Sequence, residues 1–381
     1  MKRLLLLGGG HSHVEVIRRL GLHPPRDTRI ILVSPDRYTP YSGMLPGFVA
    51  GHYDFHACHI DLERLCETAG VEFRQCHALG ADPAANRVDC SDSRALDYDL
   101  LSINIGSTPA VQDIPGALDY AIRVKPVSAF ITAWDSILGA EKASGTPLRI
   151  AVVGGGAGGV ELALAMHFRM LARNRAAGIH LFTDTSTILP SHPPEVRRIF
   201  ERVLGNRGIA VHPHSKIVKV ERGVLFRESG GPFHAEHIAW ATAASAPGWI
   251  VASGIKTDER GFVVVNDALQ SLSHPRIFAA GDIAGMANHP RPKSGVYAVR
   301  QGPPLAENLQ RALSGKPLIA YTPQKIALAL ISTGDKYAVA AYGRLVLEGG
   351  WVWRWKDYID RRFMAAYRAD SRRGEKNRAP A

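Results

Sequence analysis

Cysteine is scarce in this sequence, with four residues in a chain of 381. They stand at Cys58, Cys66, Cys76 and Cys90, and no two of them form a C-x-x-C or C-x-x-x-x-C pair. A dithiol redox centre needs two neighbouring thiols, which such short spacings normally supply. The spacing therefore argues against dithiol–disulfide chemistry and predicts thiols without a special role.

A long apolar segment is also missing. No run approaches the ~20 apolar residues that cross a bilayer. The start "MKRLLLLGGG" has a short leucine run that leads directly into glycines, which predicts a first β-strand rather than a signal peptide. The chain is 46% hydrophobic and 21% charged, which is typical of a globular protein. Its length predicts two or three domains, and we expect a cytoplasmic protein.

Acidic residues are fewer than basic ones: the chain has 46 Lys and Arg and 35 Asp and Glu, for a net charge of +11. Nine of the bases and four of the acids lie in residues 351–381. This excess favours an anionic surface: lipid headgroups, nucleic acid or an acidic partner. The same segment places Trp351, Trp355, Ile359 and Phe363 at helical spacing. Two interpretations stay open, a helix that packs on the core and an interfacial helix at a membrane.

Glycine, by contrast, is abundant and concentrated in two loops, "GGGHSH" from Gly8 and "GGGAGG" from Gly154. Each follows an apolar strand pattern and precedes a helical one. Gly154, Gly156 and Gly159 complete a G-x-G-x-x-G motif, whose glycines let a backbone approach a pyrophosphate. The helix N-terminus behind such a loop binds the phosphates. Two loops predict two dinucleotides, a flavin at the first loop and a nicotinamide nucleotide at the second.

Two further strand ends carry polar residues. Asp282 follows the short strand pattern "IFAAG", and Gly106 with Ser107 follows "LLSINI". Ligands gather at the carboxyl ends of strands in doubly wound sheets. A carboxylate there suits a polyol chain. In two-dinucleotide flavoproteins, which this order of motifs resembles, the corresponding aspartate accepts hydrogen bonds from the ribityl hydroxyls of the flavin, and we expect Asp282 to do so.

The order of these motifs resembles the two-dinucleotide flavoproteins of the pyridine nucleotide-disulfide oxidoreductase superfamily. Within it, "GGGHSHVEV", "LVSPDRYTPYSGMLPGFVAGHY", "GGGAGGVELA", "IFAAGD" and "WVWRWKDYIDRRFM" are most similar to type II NADH dehydrogenases and to the module fused to selenophosphate synthetase. The resemblance implies an α/β fold with two Rossmann-like dinucleotide-binding domains. It places an FAD domain in residues 1–122 and 262–313, split around an NAD(P)H domain in residues 123–261. Residues 314–368 would form a small C-terminal interface or membrane-associating domain, and residues 369–381 a disordered tail.

The sequence departs from the family pattern in four places. His13 stands where the first loop would have its third glycine, and the second strand ends in Ser34, with Asp36 two residues on, instead of an acid. The turn "ATG" is "ATA" at 241–243. Val296 and Arg300 stand where relatives have glutamines associated with quinone, which weakens quinone as the acceptor.

The predicted site follows from these motifs. Residues expected to bind FAD are Gly8, Gly9, Gly10, His11, Ser12, His13, Ser34, Asp36, Gly106, Ser107, Gly281, Asp282, Gly295 and Val296. Residues expected to bind NADH are Gly154, Gly156, Gly159, Asp184, Thr242 and Ala243. The predicted catalytic residues are Glu161 and Lys293. The resemblance implies that Glu161 faces the nicotinamide and flavin, as the corresponding glutamate does in similar enzymes, and that Lys293 is a cation near the flavin's pyrimidine edge. No metal is expected, because the spacing of His52, His56, Cys58 and His59 matches no zinc signature.

These inferences predict an FAD-dependent NADH oxidoreductase. NADH is favoured over NADPH, because Asp184 follows the strand "IHLFT" and no arginine occurs before Arg197. The leading acceptor is a quinone at an anionic membrane surface, on the inner face of the cell membrane. The alternatives are a reductase of a soluble electron carrier and a flavin-bearing redox switch that binds partners through its basic tail. Nucleic acid is not favoured, and a homodimer stays open.

Overall fold

Two parallel five-stranded sheets organise the computed structural model, which describes residues 1–111, 113–140, 147–242 and 244–368. The first sheet has the spatial order Ile277–Ala279, Leu100–Ile103, Lys2–Leu7, Thr28–Ser34 and Glu72–Gln75. The second has the order Ile122–Arg123, His237–Trp240, Leu148–Val153, Ala177–Phe182 and Ala210–His212. In both sheets a central strand leads into a glycine loop and a helix. The prediction of an α/β fold with two Rossmann-like units is confirmed.

Helices cover the sheets and explain their continuous apolar strands. Leu4 to Leu7 are at most 1% exposed, as expected for a parallel strand with both faces covered. Helix His11–Leu22 follows the first loop and packs on helix Gly295–Leu313. Helix Ala157–Ala172 follows the second loop. The other α-helices of the described chain are Leu45–Ala50, Phe55–Cys58, Leu62–Ala69, Ala117–Tyr120, Val127–Gly139, Pro194–Asn206, Gly248–Ala252 and Gly350–Ala365.

Several smaller sheets accompany the two five-stranded sheets. Two are antiparallel and three-stranded: Ala78–Asp82, Arg87–Cys90 and Leu96–Asp97, and Ile217–Glu221, Val224–Arg227 and Phe233–His234. Three are two-stranded: Tyr38–Pro40 with His59–Asp61, Thr108–Pro109 with Ala244–Ser245, and Val263–Val265 with Ala284–Met286.

The junction between the two units is the pairing of Thr108–Pro109 with Ala244–Ser245. Val111 and Ala117 already pack in the core beneath the second sheet. Conversely, Ala246 and Ile250 pack in the core of the first sheet. This packing favours a division near residues 108 and 244, which we propose in place of 122 and 261.

The C-terminal part of the described chain packs against both units. It consists of the antiparallel strands Ala329–Ser332, Ala338–Tyr342 and Leu345–Gly349, followed by helix Gly350–Ala365. Successive residues of the middle strand pack in different hydrophobic cores. Ala340 packs in the core of the first sheet and Val339 in the core of the second sheet. Among the helices that the structure describes, none is both long and apolar enough to cross a membrane.

Candidate functional site

The first glycine loop lies at the carboxyl end of strand Lys2–Leu7 and is closed by Asn104. A Cβ on Gly8, whose φ is +88°, would lie 2.5 Å from the Asn104 carbonyl oxygen, and one on Gly10 would lie 2.4 Å from its Oδ1. The backbone N–H groups of Ser12 and His13 donate to that Oδ1, each at 3.1 Å. Gly10 begins the helix without a side-chain cap. Such a loop fits the pyrophosphate of a dinucleotide.

His13 fills the space that a third glycine would leave between helix and sheet. The side chain is fully buried, with Nδ1 2.7 Å from the Gly8 carbonyl oxygen and Nε2 2.8 Å from Ser102 Oγ. Burial lowers the pKa of His13 to about 4, so the ring is neutral. A neutral ring can donate from Nδ1 and accept at Nε2, which matches both partners. Both ring nitrogens are therefore used inside the protein.

His11, by contrast, lies half-buried at the start of the helix, with its ring 5.3 Å from that of Tyr41. Its Nε2 accepts a hydrogen bond from the backbone N–H of Ser42 at 3.3 Å. Burial lowers the pKa of His11 to about 4, which the charge of Asp282 opposes. His11 thus connects the first loop to the segment that follows Pro40.

Asp282 lies at the same edge of the first sheet as this loop. Its Oδ2 is 2.7 Å from Lys125 Nζ and 3.3 Å from Ser107 Oγ. Burial would raise the pKa of Asp282, but Lys125 and the surrounding donors hold it below its usual value. The carboxylate is therefore ionised and can accept hydrogen bonds from a polyol. Asn104 joins this site to the first loop, because its Nδ2 donates to the Ala280 carbonyl at 2.6 Å.

The remaining predicted FAD residues surround this edge. Gly106 and Gly281 both have positive φ, +74° and +73°. Ser34 Oγ donates to the Asp36 carbonyl at 3.1 Å, and Asp36 Oδ2 accepts from Ser128. Ser34 and Asp36 therefore form one turn at the end of the second strand, where an adenosine ribose would lie.

Lys293 and the helix that follows it also belong to this site, because Lys293 feels the charge of Asp282. Lys293 Nζ donates to the Ala284 carbonyl at 2.5 Å and lies 4.0 Å from the centre of the Phe262 ring. Burial lowers its pKa to about 8. Gly295 and Val296 form the first turn of helix Gly295–Leu313, which also begins without a side-chain cap.

The second glycine loop is closely packed at its first and third glycines. A Cβ on Gly154 would lie 2.5 Å from the Ala241 carbonyl oxygen, and one on Gly159 would lie 1.8 Å from the Gly154 carbonyl oxygen. Gly156 differs, because a Cβ there would meet nothing within 4 Å. The first and third glycines thus allow close packing, whereas the second leaves an open approach to the uncapped helix Ala157–Ala172.

Asp184 and Thr242 follow the two strands that flank the central strand Leu148–Val153 of the second sheet. Asp184 is exposed and feels the positive charge of Lys216, whose Nζ is bonded to Glu228. Thr242 Oγ1 accepts a hydrogen bond from Trp240 Nε1 at 2.7 Å. The predicted contact Ala243 lies outside the described residues.

Glu161 projects from the second helix toward the C-terminal part of the chain. Its Oε1 accepts hydrogen bonds from Ser332, from the backbone N–H at 2.7 Å and from Oγ at 2.9 Å. Burial raises the pKa of Glu161, and this effect exceeds the lowering by Lys356 and Ser332. A carboxyl of this kind can exchange a proton closer to neutral pH than an exposed one.

Lys356 is a site residue that sequence reasoning missed, because it was counted among the exposed cations of the C-terminal segment. It is only 7% exposed, and its Nζ donates to Asp360 Oδ2 and to the Gly43 carbonyl, both at 2.5 Å. Tyr41 also hydrogen-bonds Asp360. The i, i+4 spacing of Lys356 and Asp360 was the available signal. Lys125 and Asn104 were missed as well, since nothing local marks them.

The C-terminal helix has one buried and one exposed face. Trp351, Trp355 and Tyr358 are 49%, 38% and 61% exposed, and Arg354 and Arg362 are exposed beside them. Phe363, predicted on the same stripe, instead stacks on Tyr41 with ring centres 4.3 Å apart. Trp353, which the predicted stripe omitted, is buried.

Two of the histidines that were considered as metal ligands, His52 and His59, have hydrogen-bond partners within the protein. His52 Nε2 is 2.9 Å from the Gly334 carbonyl oxygen, and His59 Nδ1 is 2.7 Å from that of Phe55. Burial lowers the pKa of both imidazoles. These contacts tie the segment after Pro40 to the C-terminal hairpin and to itself.

Comparison with known proteins agrees with this geometry. The family model described as pyridine nucleotide-disulphide oxidoreductase matches residues 2–302. The NADH dehydrogenase-like protein YutJ of Bacillus subtilis is 26% identical over 94% of this chain and 99% of its own. The demethylphylloquinone reductase NdbB of a Synechocystis species is 26% identical over 87% of this chain and 85% of its own.

A solved structure extends the likeness to the whole fold. The sulfide:quinone oxidoreductase of Aquifex aeolicus superposes with a TM-score of 0.80 at 18% identity, over 99% of this chain and 94% of its own. With the family match covering most of its length, the chain belongs to the pyridine nucleotide-disulphide oxidoreductase family and is an FAD-dependent NAD(P)H oxidoreductase.

Proposed function

We propose that this enzyme oxidises NADH and passes the electrons to a quinone at an anionic membrane surface. The observation that carries the proposal is the meeting of three parts of the chain around Glu161. The second nucleotide helix supplies Glu161, the hairpin supplies Ser332, and the C-terminal helix supplies the buried Lys356. An electron acceptor between these parts would lie beside both nucleotide sites. The names of two similar proteins, a demethylphylloquinone reductase and a sulfide:quinone oxidoreductase, support a quinone.

Different residues of the first site would bind different parts of FAD. FAD, when bound, supplies the capacity to accept hydride and to release electrons. The first loop and its uncapped helix would bind the pyrophosphate, and Asp282 the ribityl hydroxyls. The turn of Ser34 and Asp36 would bind the adenosine ribose. Lys293 and the helix that begins at Gly295 would stabilise negative charge at the pyrimidine edge.

NADH is the proposed donor because of Asp184. An exposed carboxylate at the end of the second strand accepts hydrogen bonds from the 2′-hydroxyl of NADH and repels the 2′-phosphate of NADPH. The kcat/KM for NADH should exceed that for NADPH, and Asp184→Ser should narrow the ratio. Equal use of both nucleotides by the native enzyme would contradict this assignment.

The acceptor can be tested by steady-state turnover. Purified enzyme with NADH and a quinone analogue in anionic vesicles should cycle rapidly. A soluble ferredoxin-type carrier under the same conditions is the comparison. Faster turnover with the carrier than with the quinone would favour the reductase of a soluble carrier instead. Val296 and Arg300 make this the decisive measurement, because they replace the glutamines of similar enzymes.

Membrane association is proposed from the exposed face of the C-terminal helix. Indole rings and arginines on one face suit the headgroup region, where each cation contributes about 1 kcal/mol. The enzyme should sediment with anionic vesicles and dissociate as salt screens the charges. Replacing both Trp351 and Trp355 by Ala should weaken binding, whereas Tyr342→Ala on the hairpin is the matched exposed control. Native protein that ignores anionic vesicles at low salt would refute the membrane proposal.

A further inference from the structure

Two thiols that the sequence separates by fourteen positions lie together at the edge of the first sheet. Among the described residues, the Sγ atoms of Cys76 and Cys90 and a carboxylate oxygen of Asp92 all lie within 4.8 Å of one another. Both thiols are 5% exposed, and the two hydrogen-bond each other. The expectation of unrelated thiols came from the absence of a short motif, which says nothing about contacts between strands.

Sheet register explains the contact. Cys76 follows Glu72–Gln75, the edge strand of the first sheet, and Cys90 ends the strand Arg87–Cys90. Ala78 is paired with Cys90 in antiparallel register, which puts Cys76 diagonally across from Cys90. Diagonal neighbours on one face of an antiparallel pair are close enough for their side chains to meet.

Arg74 makes the two thiols unequal. Its Nε and Nη2 lie 2.7 and 2.6 Å from Asp92 Oδ2, and its guanidinium also bonds the Cys76 thiol. Burial raises the pKa of both thiols, that of Cys90 to about 12. The Cys90 thiol and Arg74 favour the ionised form of Cys76, whereas burial and the Asp92 carboxylate oppose it, and the pKa of Cys76 stays raised but without the large rise seen at Cys90. Cys76 is therefore the better nucleophile of the pair.

A metal fits this cluster less well than oxidation does. Two thiolates and a carboxylate are acceptable zinc ligands. However, the Asp92 carboxylate is already paired with Arg74, and a divalent ion there would lie beside the guanidinium charge. The pair of thiols can instead react with each other without displacing Arg74.

We propose that Cys76 and Cys90 form a reversible disulfide when the protein meets a hydroperoxide. The Cys76 thiolate attacks the peroxide oxygen, the O–O bond breaks, and protonation releases water or an alcohol as Cys76 becomes a sulfenic acid. The Cys90 sulfur then attacks the Cys76 sulfur and expels hydroxide, which takes the Cys90 proton and leaves as water. Two thiols are oxidised by two electrons in total, and one peroxide bond is reduced.

The disulfide would fasten the small sheet to the edge of the first sheet. Cys76 is well placed for this, because its backbone N–H donates to the Ser34 carbonyl at 3.1 Å. A crosslink that closes a loop of this size restricts the unfolded chain and stabilises the fold. Oxidation should therefore raise the thermal unfolding midpoint of the flavin-loaded protein by several degrees, and a thiol reductant should reverse the change.

The test is thiol titration after treatment of the flavin-loaded protein with hydrogen peroxide. We expect the number of free thiols in denatured protein to fall from four to two, with a Cys76–Cys90 crosslink in the peptide map. The reaction should accelerate as pH rises, because more Cys76 is then ionised. Cys58 and Cys66, which are 2% and 0% exposed, provide the internal control. The double variant C58S/C66S should lose both remaining thiols, whereas C76S and C90S should form no crosslink.

Three results would overturn the proposal. These are four free thiols after peroxide treatment, a crosslink that joins other cysteines, and oxidation of Cys76 without crosslinking in the C58S/C66S variant. Bound zinc that protects the pair from peroxide would show a metal site instead. The double variant keeps the pair intact, so poor folding of C76S or C90S would not prevent a decision.

Discussion

The two glycine loops lie at equivalent places in their sheets, but the residue at the third glycine position of the motif differs between them. In the second loop, Gly159 lets the helix approach until a Cβ would lie 1.8 Å from the Gly154 carbonyl oxygen. In the first loop, the equivalent His13 bonds the equivalent Gly8 carbonyl through Nδ1 at 2.7 Å. In the first loop, a hydrogen bond from the His13 side chain to the Gly8 carbonyl thus takes the place of direct packing between the two backbones. The motif thus specifies a spacing between helix and strand, and glycine is one of two ways to meet it.

The same comparison extends to the glutamates two residues further along each helix. Glu15 is bonded to Arg18 and Arg19 and accepts a hydrogen bond from Tyr367 at 2.9 Å. Although burial alone would raise its pKa, these partners hold the pKa of Glu15 below its usual value. The pKa of Glu161 is raised instead. Glu15 has the partners of a structural anchor, whereas the raised pKa of Glu161 supports our proposal that this carboxyl exchanges a proton during turnover.

Gly159→His tests the difference most severely, because it gives the second loop the residue of the first. The new side chain has no room at 1.8 Å from a backbone oxygen, so the helix must retreat and the nucleotide contacts are lost. We expect the rate at which NADH reduces the flavin to fall by roughly two orders of magnitude or more, while FAD stays bound. Anaerobic stopped-flow reduction measures this rate.

Gly158→His is the matched control for thermal stability, since a Cβ at Gly158 meets nothing within 4 Å. It adds the same side chain one residue earlier and should unfold at the wild-type temperature. A Gly159→His enzyme that NADH reduces at the native rate would show that the close approach is unimportant.

His13→Gly makes the opposite exchange and should destabilise the first domain. It removes both ring hydrogen bonds and leaves the Gly8 carbonyl and Ser102 Oγ without partners in a cavity. The expected cost is about 2–4 kcal/mol, measured by urea unfolding with flavin bound. Ser102→Ala removes one of the two contacts and should cost about 1 kcal/mol.

The same variant should change the dependence of stability on pH. The pKa of His13 is about 4 in the folded chain, below its usual 6.5. The unfolded chain therefore binds the proton first, and native stability falls as pH drops from about 6.5 toward 4. His13→Gly should lose less stability over this window, while His11 preserves part of the slope. An unchanged slope would mean that His13 is not neutral by burial.

Exchanging the two glutamates for glutamine should separate their roles. Glu15→Gln breaks a buried ion pair and should lower stability by about 1–3 kcal/mol while the rate of flavin reduction stays near native. Glu161→Gln keeps the shape but removes the proton, and should slow flavin reduction or acceptor turnover by roughly tenfold, or about 1.4 kcal/mol. Equal effects of both variants on stability and on rate would show that the two glutamates do not differ in role.

Local patterns predicted the loops, the order of the strands around them and the α/β class, because each depends on a few adjacent residues. The contacts that complete the site could not be predicted in this way. Asn104 lies 92 residues from Ser12, and Ser332 lies 171 residues from Glu161. Lys356 belongs to a basic segment whose composition indicates exposure, yet it is buried and donates a hydrogen bond to the distant Gly43 carbonyl. Tertiary contacts of long sequence separation leave no local periodicity to find.

Ser332→Ala should have the smallest effect and addresses how the C-terminal part controls Glu161. The variant removes the Oγ donor at 2.9 Å and keeps the backbone N–H at 2.7 Å. Both donors favour the ionised carboxylate, so losing one should raise the pKa of Glu161 further. The acidic limb of the pH profile for flavin reduction or acceptor turnover should move to higher pH, with a few-fold loss of rate near neutral pH. Ser332→Thr preserves the hydroxyl and should restore the native profile, whereas Ser314→Ala, at a helix end outside the site, should leave it unchanged. A profile that moves equally in the threonine variant would instead show that the Ser332 side chain acts through packing and not through its hydrogen bond to Glu161.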